Sequence, residues 1–144
     1  MSRLPKPCVL DASIALKLFL PEDHSDVAQR FIREAGGQDQ SLLYVPDLFF
    51  IECANVLWHK VRLGHITEAA ALQAVAYLSE MDLPSTPTSE LMERSLQLAC
   101  LHGITAYDAC YVALAEQLDI PLLTADIRLA DILSKAGLNV ATLG

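Results

Sequence analysis

An α/β three-layer sandwich, a central parallel sheet flanked by helices, is the fold class this sequence predicts. Three observations carry the expectation. Short apolar runs alternate with longer amphipathic ones along the whole chain, and Gly, Pro, Ser and Thr punctuate nearly every junction between them. The 144 residues contain no internal repeat, linker or low-complexity stretch. Strands separated by helices pair in parallel through right-handed crossovers, so the pattern reads as a single domain over residues 1–144.

Taken in order, Pro7-Cys8-Val9-Leu10 is a short buried strand that ends at Asp11. A helical run from Ser13 to Leu20 stops at Pro21, because the residue before a proline is pushed out of the helical region. Ser25 is placed to cap a helix reaching Gly36-Gly37. Leu42 to Val45 forms a second strand, and Pro46 suits the first turn of a long helix running to Leu63 with Gly64 as its exit. Thr67 opens the next helix, TEAAALQAVAYLSEM, after which Leu83 to Thr86 forms a short edge strand between prolines. A helix from Ser89 to Leu101 ends at His102-Gly103, and Thr105 starts another through AYDACYVALAEQL. Ile120 to Thr124 is a strand running into Ala125-Asp126; DIRLADILSKAG is the last helix and LNVATL the last strand.

Composition bounds the function classes. At this length folding buries roughly two thirds of the unfolded chain's surface, so the core needs no disulfide or metal staple. The longest stretch without Asp, Glu, Lys or Arg is 13 residues, Ser95 to Tyr107. A membrane helix needs about 20 mostly apolar residues, so none is expected. The start, MSRLPKPCVLDAS, has no apolar leader with a cleavage site, and an intracellular, cytoplasmic protein is expected. Cys8, Cys53, Cys100 and Cys110 have no C-x-x-C spacing and read as buried free thiols. The net charge of −8 weighs against nucleic acid as a partner. That weight falls if four acids sit in a site where divalent cations cancel them, leaving 14 acids against 10 bases.

Four acids are candidates for such a site. Asp11 and Asp126 each follow an apolar strand at the start of a helix, the edge where open α/β sheets bind ligands. Aspartate is also a preferred helix cap, and either residue alone is better explained that way. Asp108 lies at capping-box spacing from Thr105, at the start of a helix apolar enough to be buried. Glu52 interrupts a helix that is apolar almost all round, on one stripe with Asn55, His59 and Arg62. That stripe is either a solvent edge or a site wall. Converging carboxylates repel one another, so the site should hold cations. Oxygen-only ligands suit Mg²⁺ or Mn²⁺ and disfavour zinc. Such ions activate water and stabilise charge in phosphodiester hydrolysis. Ser13, Asn55, Thr105 and Thr124 are candidates to hydrogen-bond ligands or waters behind the acids, though capping explains Ser13 better.

The runs V-L-D-A-S at 9–13, E-x-x-N-V-L at 52–57, T-x-Y-D-A-x-Y-V-A-L-A at 105–115 and L-L-T-A-D at 122–126 occur in order over nearly the whole chain. Together they resemble the PIN-domain (PilT N-terminus) family, most nearly the VapC-type toxins of type II toxin–antitoxin pairs. The resemblance implies a Mg²⁺ or Mn²⁺ site made by Asp11, Glu52, Asp108 and Asp126, with Thr105 in the place of the family's hydroxyl residue before the third acid. It also implies metal-dependent endoribonuclease activity on an RNA substrate, a homodimer, and a cognate antitoxin that folds over the toxin. The departure is the acidic surface, whose few candidate RNA contacts are Lys17, Lys60 and Arg62.

Two rival readings carry different consequences. A phosphoryl-transfer domain of receiver or dehalogenase type needs a Lys near its acyl-phosphate Asp, and no later strand supplies one. A non-catalytic PIN-like module that binds RNA or a partner has no need to retain all four acids. The 53% hydrophobic share calls for apolar surface covered by a second copy. Sedimentation at micromolar concentration should therefore show a species heavier than the 15.7 kDa chain; a single species of that mass would refute the homodimer.

Overall fold

A computed structural model describes Pro5, residues 7–17, Asp26 and residues 42–143. Five strands form one parallel sheet in the order β3-β2-β1-β4-β5. They are β1 (Cys8–Leu10), β2 (Leu43–Pro46), β3 (Ser85–Thr86), β4 (Leu122–Leu123) and β5 (Val140–Ala141). Between them lie α1 (Ala12–Leu16), α2 (Leu48–Arg62), α3 (Glu68–Glu80), α4 (Thr88–His102), α5 (Ala106–Leu118) and α6 (Ile127–Lys135). The predicted α/β sandwich is the observed one.

The strand order dictates the layers. The chain moves outward from β1 through β2 to β3, then jumps back across β1 to β4 and continues to β5. Right-handed crossovers put helices of the two directions on opposite faces. Accordingly α1, α2 and α3 pack in series, while α5 packs on β1, β2 and β4 with α4 against it. Helix α5 is the core's central rod. Its residues Ala109 to Ala115 are all buried, as an all-round apolar helix requires. β1, the middle strand, is buried along its whole length.

Local signals set most boundaries. Thr67 and Thr105 cap α3 and α5, accepting from the N–H of Ala70 and Asp108 at 3.1 Å each. Gly103 ends α4 in the left-handed conformation at φ 68°, a region that disfavours residues with a Cβ. Among the described residues no single helix is long and apolar enough to cross a membrane; α4 and α5 qualify only jointly, across a 113° bend.

Three expectations need correction or restriction. Pro46 closes β2 instead of opening a helix: Val45 and Asp47 donate to Pro84 and Thr86 across β3, so the N–H that Pro46 lacks falls on the other side of the strand. Cys100 is exposed, whereas Cys8, Cys53 and Cys110 are buried free thiols as expected. The first helix covers Ala12–Leu16; its expected extension to Leu20, and the expected helix from Ser25 to Gly37 apart from Asp26, lie outside the described residues. Removing the exposed α3 cap by Thr67→Ala should lower stability by about 1 kcal/mol, read as a shifted urea midpoint, with Thr67→Ser close to the parent.

Candidate active site

Strand order reverses between β1 and β4, and at such a switch point the chain ends diverge to leave a crevice at the C-terminal edge of the sheet. Asp11 follows β1 there. Its N–H donates to the Leu123 carbonyl at 3.0 Å, which ties it to the end of β4. By backbone it is the N-cap of α1, yet its side chain makes no capping bond. Instead Oδ2 accepts from the Ser13 hydroxyl at 2.6 Å and the Thr124 hydroxyl at 2.7 Å. Each hydroxyl then accepts a backbone N–H in turn, Ser13 from Ala125 and Thr124 from Asp126, both at 3.0 Å. Ser13 is thus a carboxylate support and not the helix cap expected of it. Thr124 is fully buried, so its hydroxyl has this one arrangement in which both its roles are met.

The other three acids arrive on separate elements. Asp126 does cap α6, accepting from Leu129 N–H at 3.1 Å through Oδ1. Capping therefore occupies one carboxylate oxygen and leaves the residue on the crevice rim. Asp108 stands on the first turn of α5, where Thr105 holds its backbone N–H. Glu52 enters from the second turn of α2, half-buried, and its Oε1 is buried with no hydrogen-bond partner. Of the stripe predicted with it, Asn55, His59 and Arg62 all face solvent, and the Arg62 guanidinium stacks 5.2 Å over the Trp58 ring. The stripe is a solvent edge with Glu52 turned inward at its end. Asn55 hydrogen-bonds none of the four acids among the described residues.

Electrostatics binds the four into one group. Burial raises the Asp11 pKa most, and the Asp126 charge adds to it, against lowering bonds from Ser13, Thr124 and the Ala12 backbone. Burial likewise raises Glu52, with the Asp11 and Asp108 charges adding to it. Asp108 is raised by burial, then by Asp11 and Asp126, with Thr105 opposing. The charges acting on these acids belong to neighbouring carboxylates. Cys53, behind Glu52 on α2, is pushed up to about 12 by burial and by Glu52 and Asp11, which leaves its thiol inert. Among the described residues no three His, Cys, Asp or Glu side chains stand close enough to grip one ion directly. The acids ring the crevice at the distance of electrostatic influence.

Two residues at the site escaped the sequence reading. Tyr111, three residues along α5 from Asp108, is buried and faces Glu52; its hydroxyl acts on that carboxyl to lower the pKa, yet completes no hydrogen bond of regular geometry. Arg128 lines a cleft of about 140 Å³ with Thr105, Asp108 and Asp126. The helical spacing from Asp108 to Tyr111 and the position of Arg128 two residues after Asp126 were the available signals. Lys17, expected to contact RNA, is buried.

A family model described as the PIN domain matches residues 8–133. Ribonuclease VapC3 of Pyrobaculum aerophilum is 38% identical over 125 residues, 85% of this chain and 92% of its own length. Ribonuclease VapC1 of Mycobacterium tuberculosis is 37% identical over 126 residues, covering 85% of this chain and 88% of its own. The crystal structure of PAE2754 from Pyrobaculum aerophilum superposes with a TM-score of 0.63 at 30% identity, over 86% of this chain and 77% of the other. A toxin–antitoxin complex from Klebsiella pneumoniae shares the fold at a TM-score of 0.62 and 16% identity, over 95% and 98%.

Burial, with mutual repulsion added to it, gives a signed expectation for the metal-free protein. The folded pKa values of Asp11, Glu52 and Asp108 are raised, so these groups bind protons more tightly folded than unfolded. Their contribution to stability is complete below the unfolded carboxylate pKa of about 4 and is lost as pH climbs through the folded values. Asp108→Asn removes one of the repelling charges and keeps a side chain of the same shape. Thermal melts in EDTA should show the variant melting above the parent at neutral pH with a flatter pH dependence, and a variant that melts lower would mark Asp108 as a structural cap.

Proposed function

The chain belongs to the PIN-domain family, and on that premise we propose that it is a metal-dependent endoribonuclease, the toxin of a type II toxin–antitoxin pair, acting in the cytoplasm. The observation that carries the reading is that Asp11, Glu52, Asp108 and Asp126, from four different elements, ring the switch point of the sheet within reach of one another's charge. Relatives named ribonucleases at 37–38% identity support RNA as the substrate.

The donor set fits Mg²⁺ or Mn²⁺. It offers carboxylate oxygens from Asp11, Glu52, Asp108 and Asp126, with no nitrogen or sulfur donor among them. Its open spacing suits Mg²⁺, which keeps several of its waters and takes one or two carboxylates directly. A divalent ion held there supplies positive charge against the phosphate and lowers the pKa of water. The chain's residues do the rest. Asp11, locked by two hydroxyls, provides a carboxylate with one fixed orientation. Asp126 keeps an oxygen beyond its capping bond for the crevice, and Asp108 and Glu52 close the ring from α5 and α2. Arg128, at the cleft beside Asp108 and Asp126, supplies a cation for a flanking RNA phosphate.

The apolar outer faces suit protein partners. Ile51, Trp58 and Leu63 on and after α2, Leu72 on α3, and Met92, Leu96 and Leu101 on α4 are all more than half exposed. A second copy in a homodimer and an amphipathic antitoxin segment are the occupants this reading assigns to them.

RNA cleavage should require Mg²⁺ or Mn²⁺ and stop in EDTA. Asp11→Asn should lower the rate by more than about 100-fold, the upper end of what losing a ligand's hydrogen-bond partner costs. Undiminished cleavage in EDTA would overturn the mechanism, and RNA binding without cleavage under either metal would assign the chain to the non-catalytic modules.

A further inference from the structure

Tyr111 has the largest fully buried side chain in the described core, at 1% exposure. Its hydroxyl faces Glu52 and lowers that carboxyl's pKa, yet completes no hydrogen bond of regular geometry. Glu52 Oε1 is buried and equally without one. The two groups lie against each other, Tyr111 from α5 and Glu52 from α2. Buried polar atoms left unpaired are rare in folded proteins and unfavourable, and here two stand together, one a donor and the other an acceptor. A phenylalanine ring would fill the same space without that penalty. The hydroxyl is therefore unexplained by packing.

We propose that Tyr111 is a positioning residue for Glu52: its hydroxyl donates to Oε1 once the carboxylate turns toward a bound cation, and so holds Oε2 in the crevice. Only small motions separate the observed arrangement from the bonded one. The terminal torsion of a glutamate is broad and costs little to turn, so a small rotation of the carboxyl brings Oε1 onto the phenol hydroxyl. Carboxylates that ligate metal ions are characteristically held by a hydrogen bond from behind. Asp11 has two such supports in Ser13 and Thr124, and Tyr111 is the matching support for Glu52. Helix spacing makes the pairing economical: Asp108 and Tyr111 are three residues apart on α5, so one helix face supplies one acid and steadies another.

The inference rests on the metal-site reading above, and Tyr111→Phe tests it because only the hydroxyl is lost. Metal-free Tyr111→Phe should melt at or above the parent temperature, since an unpaired buried group has been removed. Its Mn²⁺ dissociation constant, measured by calorimetry without RNA, should rise about 10- to 100-fold. In RNA cleavage kcat should fall over a similar range with KM for RNA unchanged. In a Glu52→Gln background the same substitution should leave Mn²⁺ affinity unaltered, because Tyr111 acts through the glutamate. Parent-like Mn²⁺ binding by Tyr111→Phe would overturn the inference, as would an equal loss in the Glu52→Gln background. Parent protein that binds Mn²⁺ but cuts no RNA would sink the ribonuclease reading and leave Tyr111 in place. Parent protein that binds no Mn²⁺ would overturn both.

Discussion

The bond that Thr124 donates to Asp11 Oδ2 joins segments 113 residues apart in sequence, Ser13 donates to the same oxygen from two residues away, and the site depends on both. Both hydroxyls are bifunctional. Each donates a hydrogen bond to the carboxylate and accepts one from a backbone N–H of the β4–α6 turn. That turn carries Asp126, so the network which orients the first acid also sets the position of the fourth. Such a network polarises in one direction, from backbone N–H through hydroxyl to carboxylate, and stabilises the charged form of Asp11 against its burial. The parallel pairing of β1 and β4 is what allows it, because both strands end at the same edge of the sheet.

A site of this kind is unstable by itself. Burial and mutual repulsion raise three of the four carboxyls, and the charges they feel are one another's. Natural proteins tolerate such arrangements at functional sites, where unfavourable electrostatics in the free protein become favourable on binding a cation. The unpartnered Glu52 oxygen belongs to the same account. The net charge of −8 then says less about RNA than it first did, because part of it is concentrated in the crevice that we propose holds a divalent ion.

Helix α5 links stability to the site. Its seven consecutive buried residues anchor it between the sheet and α4, which leaves its N-terminal turn little freedom to move. Asp108 inherits that rigidity, as does Tyr111 one turn on. A catalytic constellation held on well-packed elements keeps its geometry without relying on loop order.

Much of the fold was legible in the residues. Alternating apolar and amphipathic runs determined an α/β sandwich, and Thr67, Thr105 and Gly103 marked helix ends correctly because caps act within one turn. The four acids could be picked out for a similar reason: strand ends, a helix start and an anomalous charge in an apolar helix are local signals. Tertiary structure decided the rest. It made Ser13 a support for Asp11, put Pro46 at the end of a strand, buried Lys17 and left Asn55 in solvent. It also brought Tyr111 against Glu52, a pair 59 residues apart. Sequence periodicity tells which residues share a face of one element. Which face meets which neighbour is settled by crossovers that bring distant segments together, and hydrogen bonds between elements exist only after that choice is made.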